Sequence, residues 1–357
     1  MDMKNEKNQS SVSPETAAPA ERDDLYEHFR LEVPAGQSPV RIDRYVTDKL
    51  ENVSRNKVQN AIKAGNMVVN DRPVKANYKV RPGDVIRLLL PYAPYRELLK
   101  PEKMDLDIVY EDDDVIVVNK PAGMVVHPAH GHYSGTLING ILGHVESLPG
   151  GSSEERPGLV HRIDKDTTGL LVVAKNELAM NKLAKQFADK STERKYIALV
   201  WGDLPEDEGT ITGHIGRHPK ERIKMHVFSD GSQGKPSVTH YKVLERFGYV
   251  TLVEVQLETG RTHQIRVHFA HKGHPLFGDP VYGGERIVKG SETMGKYRQF
   301  VENSFKILPR QALHAKTLGF THPSTGRFMR FDSELPEDMQ QVIERWRRYT
   351  SQRKEDI

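Results

Sequence analysis

The chain has 357 residues, of which 37% are hydrophobic and 28% charged, with a formal net charge of +3. That length predicts two domains with tails rather than a single core. No apolar run approaches the ~20 residues that span a bilayer, the N-terminus shows no secretory pattern, and the lack of cysteine excludes disulfides, a thiol nucleophile and a cysteine-held zinc, so a soluble, cytoplasmic protein without a membrane partner is expected.

Residues 1–22 are rich in Ser, Pro, Glu, Ala and Asn and predict a disordered tail. Residues 39–91 predict a small helix–helix–hairpin domain. Ile42, Tyr45, Val46 and Leu50 share one helical face. Ser54 is placed to cap a second helix bearing Val58, Ala61 and Ile62, which Gly65 ends. Short strands follow at 67–69, before the Asn70-Asp71 turn, and at 85–90, after the Pro82-Gly83 turn. Between residues 36 and 91 there are eleven Lys or Arg against five Asp or Glu, an excess of +6 that leaves −3 for the rest of the chain. A basic module on a mildly acidic body predicts a polyanion partner. Arg55 and Lys57 in the first turn of the second helix, with Lys63 in its last, predict a phosphate cradle.

Three prolines among residues 91–101 predict a linker over 92–103. Short apolar runs then lie at 106–110 and 115–119, a helical pattern at 136–144 and a buried strand at 170–174. Asn176 is placed to cap a helix with Leu178, Leu183 and Phe187. Further strands are expected at 195–200, 238–245, 250–257, 312–320 and 327–331. Short strands outnumber helices, which predicts an α+β domain with a largely antiparallel sheet over 104–335. Residues 336–349 predict a terminal helix bearing Met339, Val342, Ile343 and Trp346, with a tail to 357. Residues 216–235 hold five basic against two acidic side chains and predict a flexible, RNA-contacting loop.

Two segments can carry chemistry. In GLVHRIDKDTTGLLVVAK, 158–175, apolar runs flank a polar turn, as if two buried strands deliver Asp164 on a rigid loop. A loop-capping aspartate would look the same. In the second, 257–284, a helix from about Thr262 to Gly273 would carry Arg266, and a buried arginine beside an aspartate keeps the carboxylate ionised and oriented. Arg261 and Arg266 as plain phosphate binders are the alternative. His127, His130 and His132 cluster, as do His263, His268, His271 and His274. Without an HExxH pattern they predict hydrogen-bonding groups along an RNA groove and no metal. No Walker loop or GxGxxG is present, so no nucleotide cofactor is expected.

RIDRY at 41–45, SRNKVQNAIKAGNMVVN at 54–70 and GDVI at 83–86 resemble the S-four RNA-binding domain. The resemblance implies that Arg41, Arg44, Arg55, Lys57 and Lys63 meet RNA. HRIDKDTTGLLVVAK resembles the signature of RluA/RluD-type pseudouridine synthases, which modify large-subunit ribosomal RNA. VVNKPAGMVVHPA at 117–129, RKYIALVWG at 194–202, the segment 257–283 and RQALHAKTLGFTHPSTG at 310–326 fit the same family. Ile163 and Thr168 depart from it, Leu and Ser being commoner there.

The resemblance implies a mostly antiparallel mixed-sheet catalytic domain that isomerises uridine in RNA without any cofactor. It implies ribosomal RNA, in large-subunit precursors, as the partner of a monomer. Asp164 matches the catalytic aspartate, whether it attacks the sugar, adds to the ring or acts through a glycal. Tyr196 matches the tyrosine that stacks on uracil, and Arg266 the basic residue paired with the aspartate. Leu313 matches the apolar pocket floor, and Arg162 the side chain that fills the gap left by an extruded nucleotide. His161 and Arg261 join the substrate-binding set. Two other classes compete: a catalytically silent ribosome-assembly or RNA-binding factor, which has no reason to keep Asp164, Tyr196 and Arg266 together, and a glycoside hydrolase, which needs two facing carboxylates.

Overall fold

A computed structural model describes residues 26–50, 53–90, 95–129, 131–150, 156–221, 223–290 and 295–355. The tail expected at 1–22, and His130 of the first histidine cluster, lie outside the described residues. The chain divides into two compact units, 1–98 and 99–357.

The first unit runs β1 (Tyr26–Glu32), α1 (Ile42–Lys49), α2 (Arg55–Lys63), β2 (Met67–Val69), β3 (Arg72–Pro73), β4 (Val85–Leu90) and one helical turn, α3 (Tyr95–Leu98). Its strands form an antiparallel sheet in the order β1-β4-β2-β3. Ile42 and Val46 of α1 meet Val58 and Ile62 of α2 over Met67, Val69 and Ile86. Ser54 Oγ accepts the Lys57 N–H at 3.4 Å and caps α2. Asn70 and Asp71 both take positive φ, +49° and +65°, the mirror-image hairpin turn that suits the strands' right-handed twist. Asp43 is wholly buried at the α1–α2 contact. Burial alone would raise its pKa, but donors from Arg41, Gln59 and Arg55 prevail and hold its carboxyl well below the usual range.

The second unit comprises β5 (Ile108–Glu111), β6 (Val115–Lys120), α4 (Leu137–His144), β7 (Thr168–Ala174), α5 (Glu177–Ala188), β8 (Glu193–Trp201), β9 (Glu208–Arg217), β10 (Met225–Phe228), β11 (Lys235–Arg246), β12 (Val250–Leu257), α6 (Gln264–His271), α7 (Lys296–Ile307), β13 (Leu313–Thr321), β14 (Phe328–Asp332) and α8 (Glu337–Glu355). One mixed sheet runs β10-β9-β11-β12-β8-β13-β7-β6-β5, with β14 beside β13. Every pairing is antiparallel except β13 with β7. Strand alternation sorts the core: Tyr196, Ala198 and Val200 of β8 face α4 and α6, while Ile197, Leu199 and Trp201 face α7 and α8. Covering both faces is why β8 reads as an unbroken apolar run. No described helix is long and apolar enough to cross a membrane.

Several expectations are corrected. The linker expected over 92–103 contains the turn α3, and its last part is docked rather than free: Leu99 packs on the second core and the Lys100 carbonyl accepts from Asn139 Nδ2 at 2.9 Å. The run 158–160 is not a strand and makes one bridge, Leu159 to Val173. The flexible loop expected at 216–235 holds β10, paired with β9. The terminal helix is core, with Met339, Val342, Ile343 and Trp346 buried, so the unit does not end at 335. Strand β1, helix α7 and strand β9 were not anticipated. β1 is an edge strand with charged, half-exposed side chains, and β9 is rich in Gly and Thr, so neither shows a clean alternation.

Three imidazoles are sequestered in this fold. His161 Nε2 accepts the Val172 N–H at 3.0 Å, His268 bridges Ser237 and Thr239, and His314 bridges Thr168 and Ser333. Burial above all lowers their pKa values to about 3, about 4 and about 4, from 6.5. Below pH 6.5 the unfolded chain therefore binds protons that the folded chain refuses. Stability is complete above that pH and falls on acidification toward pH 4. Urea midpoints measured across that window should drop steadily, and His161→Gln, which keeps an acceptor but does not titrate, should flatten the drop. A midpoint unchanged by acidification would show that these imidazoles are protonated in the folded state.

Candidate active site

Asp164 opens a turn in which the Thr167 N–H donates to the Asp164 carbonyl at 3.1 Å, a position that favours aspartate. Two cations hold the backbone of this turn. The wholly buried Lys120, at the end of β6, donates to the carbonyls of Pro121, Met124 and Lys165 at 2.7, 2.9 and 2.8 Å. Burial lowers the pKa of its ammonium to about 7. Arg310 Nη1 donates to the Asp166 carbonyl at 3.0 Å, while Nε and Nη2 grip Asp338 of α8 at 2.8 Å each. Gly169 follows with φ +112° where β7 runs beside β13. A Cβ there would run into the Ala315 carbonyl, so the close parallel approach requires glycine.

Helix α6 supplies the facing side. Its entry residue, His263, takes a left-handed conformation, φ +56°, which is strained for a non-glycine residue and typical of functional sites. Gln264 locks the approach: its Oε1 accepts from Thr259 Oγ1 and the Arg261 N–H, and its Nε2 donates to the Val238 carbonyl and Thr239 Oγ1. Arg266, three residues past His263, donates from Nη1 to Asp164 Oδ2 at 3.1 Å. Its Nε and Nη2 fork onto Asp279 at 2.7 and 2.9 Å. Side-chain exposure falls from 18% at Asp164 to 5% at Arg266 and 0% at Asp279, so charge alternates inward from the cleft. Burial would lower the Arg266 pKa, but Asp279 and Asp164 prevail and raise it. Asp279 Oδ1 also accepts the N–H groups of Val281 and Tyr282.

A second chain reaches Asp164. Tyr282 OH accepts the Met225 N–H at 2.9 Å and lies 3.0 Å from His263 Nδ1. If the phenol donates to Nδ1, the remaining imidazole proton sits on Nε2, 3.9 Å from Asp164 Oδ2. Burial first, with Arg266 and Arg162 assisting and Asp164 and Asp279 opposing, lowers the His263 pKa.

Asp164, His263, Gln264 and Arg266 line an open cleft together with Arg162, Tyr196, Arg261 and Leu313. Of the residues expected to act on substrate, His161 is not in it. It turns away to accept the Val172 N–H and stacks on Phe187 at 4.5 Å, a packing role set by β7. Tyr196 is buried, which raises its pKa above the ordinary value against the opposing effect of Arg194. Asp164 is the acidic side chain among the lining residues. The other carboxylate, Asp279, is sealed behind Arg266 with both oxygens occupied, which does not make the facing pair of a glycosidase.

The basic set of the first unit lies on its own surface, with Arg41, Arg44, Arg55, Lys57 and Lys63 all exposed. The proposed cradle changes in one respect: Arg41 and Arg55 both pair with Asp43 at 3.0 Å. Arg44, Lys57 and Lys63 pair with no acid among the described residues. The histidine clusters disperse, since His263 joins the cleft, His268 is a core residue, and His271 and His274 bond Ser229 and the Trp201 carbonyl. Asp279, Tyr282, Lys120 and Arg310 were not singled out, and His263 was named only within a histidine cluster. A lysine ending an apolar run, at Lys120, and an aspartate in the Gly-Asp-Pro turn at 278–280 were the available signals.

Residues 114–271 match the RNA pseudouridylate synthase family model, and residues 40–86 match the S4 domain. The chain is 49% identical to the Uncharacterized RNA pseudouridine synthase YlyB of Bacillus subtilis, over 87% of this chain and 96% of that protein. It is 45% identical to the Ribosomal large subunit pseudouridine synthase D of Neisseria meningitidis serogroup A, over 88% of this chain and 80% of that one. Among solved structures, Human RNA Pseudouridylate Synthase Domain Containing 1 is 27% identical with a TM-score of 0.47, over 68% of this chain and 95% of its own. With that breadth of identity to its bacterial relatives, the chain belongs to the RNA pseudouridine synthase family and carries an S4 domain ahead of the catalytic one.

Proposed function

We propose that this enzyme isomerises uridine in large-subunit ribosomal RNA, in the cytoplasm and without a cofactor, with Asp164 as the essential carboxylate. The observation that carries the reading is the buried Arg266, which holds Asp164 at 3.1 Å against a cleft shared with Tyr196. The target nucleotide leaves its stack because the glycosidic bond is inaccessible inside a helix. Arg162 fills the vacated position, and Leu313 packs the floor. The N1–C1′ bond breaks, uracil turns, and C5 bonds to C1′ while the C5 proton is lost and N1 gains one. A carboxylate beside C1′ serves as nucleophile or as electrostatic partner for the electron-poor carbon. Tyr196 stacks on the detached base. Its raised pKa means it enters the reaction as a phenol, so it relays a proton rather than acting as a preformed phenolate. Arg261 and the exposed Arg44, Lys57 and Lys63 hold phosphates. The ribosomal target is supported by the name of the Neisseria relative.

Mapping pseudouridine in ribosomal RNA from cells with and without this gene tests the target; an unchanged map rejects it. In a purified assay, Asp164→Asn should lower turnover by about a thousandfold or more while RNA affinity holds. Tyr196→Phe should lower it about a hundredfold with little effect on binding. Normal turnover by either variant removes that residue from the chemistry. Asp279→Asn leaves the Arg266 charge poorly compensated in a dry site and should cost about 3–5 kcal/mol of stability together with activity. Urea unfolding of that variant at wild-type midpoint, with full activity, would rule out its anchoring role.

A further inference from the structure

Arg194 is a charged cleft residue to which this mechanism gives no role. On β8 it shares the Tyr196 face and is 6% exposed, yet it lines the cleft. Its strand neighbours on the opposite face are paired: Glu193 with Arg330 at 3.2 Å and Lys195 with Glu254 at 3.1 Å. Arg194 has no ion-pair partner among the described residues, and its buried Nε has no hydrogen-bond acceptor. The guanidinium is nonetheless held in place. It lies over the Phe187 ring at 5.4 Å, and Gly260 passes close enough that a Cβ there would sit 3.2 Å from Nη1. A buried, uncompensated arginine is costly to the folded chain, and orphaned donors of this kind mark a place where a missing acceptor belongs.

We propose that Arg194 binds a backbone phosphate adjoining the uridine held in the cleft, positioning that nucleotide against Asp164. This rests on the isomerase reading above. A phosphate suits the site better than a uracil carbonyl for two reasons. It cancels the buried charge as well as filling the donor, and the guanidinium fork matches it in two-point geometry. The surrounding charge agrees. Arg266 is taken up by two carboxylates, so Arg162, Arg194 and Arg261 stand in excess over the cleft's acid, which suits a polyanion.

The test uses full-length wild-type protein, Arg194→Met and Arg194→Lys. The probes are a short RNA with an unmodified target uridine, the same RNA with one uncharged methylphosphonate linkage 5′ or 3′ of that uridine, and the same RNA with 4-thiouridine at the target. Arg194→Met should lower kcat/KM by about ten- to a hundredfold, and Arg194→Lys should recover part of the loss. One methylphosphonate linkage should cost the wild type a similar factor and cost Arg194→Met nothing further. Because the substitution removes an unpaired buried charge, the Tm of Arg194→Met should equal or exceed that of the wild type. Independent, multiplicative losses at both linkages overturn the proposal. So does coupling to the 4-thio substitution instead, which would make Arg194 a base reader. A lowered Tm with unchanged kinetics also overturns it and leaves a packing residue. If the wild type converts no uridine, the isomerase reading falls as well; if it converts uridine but shows no charge coupling, only the phosphate assignment falls.

Discussion

The buried relay Asp279–Arg266–Asp164 is the constraint around which the catalytic unit is arranged. Burying an arginine to 5% side-chain exposure is costly unless anions offset its charge. Asp279, itself fixed by the Val281 and Tyr282 N–H groups, takes two of its donors and sets the plane of the guanidinium. The third donor then points at Asp164, whose side chain is 18% exposed toward the cleft. Geometry of this kind needs its supports on rigid elements. Accordingly α6 is nailed down by Gln264, and the Asp164 turn is clamped from beneath by Lys120 and Arg310.

That clamp ties distant parts of the chain to the Asp164 carboxylate. Lys120 ends β6, and Arg310 joins the Asp166 carbonyl to Asp338 on the terminal helix. Helix α8 is therefore structurally part of the site, since its Trp346 packs with Trp201 on the far face of the sheet. The costs collect here as well: left-handed His263, a lysine buried among carbonyls, and an arginine without an ion-pair partner among the described residues. Groups of this sort persist where function outweighs stability.

Much of the architecture was legible locally. Ser54, Thr136 and Asn176 cap helices with their own side chains, and capping chemistry spans only three residues. The Asn70-Asp71 turn and the apolar runs of β6, β7 and β8 are likewise short-range signals. What stayed hidden had weak local signal, as with the charged edge strand β1 and the Gly- and Thr-rich β9. Helix α7 is different, because its apolar face at Tyr297 and Val301 is present in the residues.

The signature segments identified the reaction class through their resemblance to the pseudouridine synthases, a resemblance carried by runs that hold Asp164, Tyr196 and Arg266. Only the tertiary structure decided how they are held and which neighbours serve them. Asp164 and Arg266 are 102 positions apart, Lys120 and Lys165 are 45 apart, and no local pattern encodes such contacts. The same distance effect removed His161 from the cleft, although it stands three residues from Asp164, because its ring is claimed by β7. It also left Arg194 without an ion-pair partner among the described residues while both of its neighbours found partners. A side chain's type is written in the chain, but whether its charge is compensated depends on which other strands and helices fold against it.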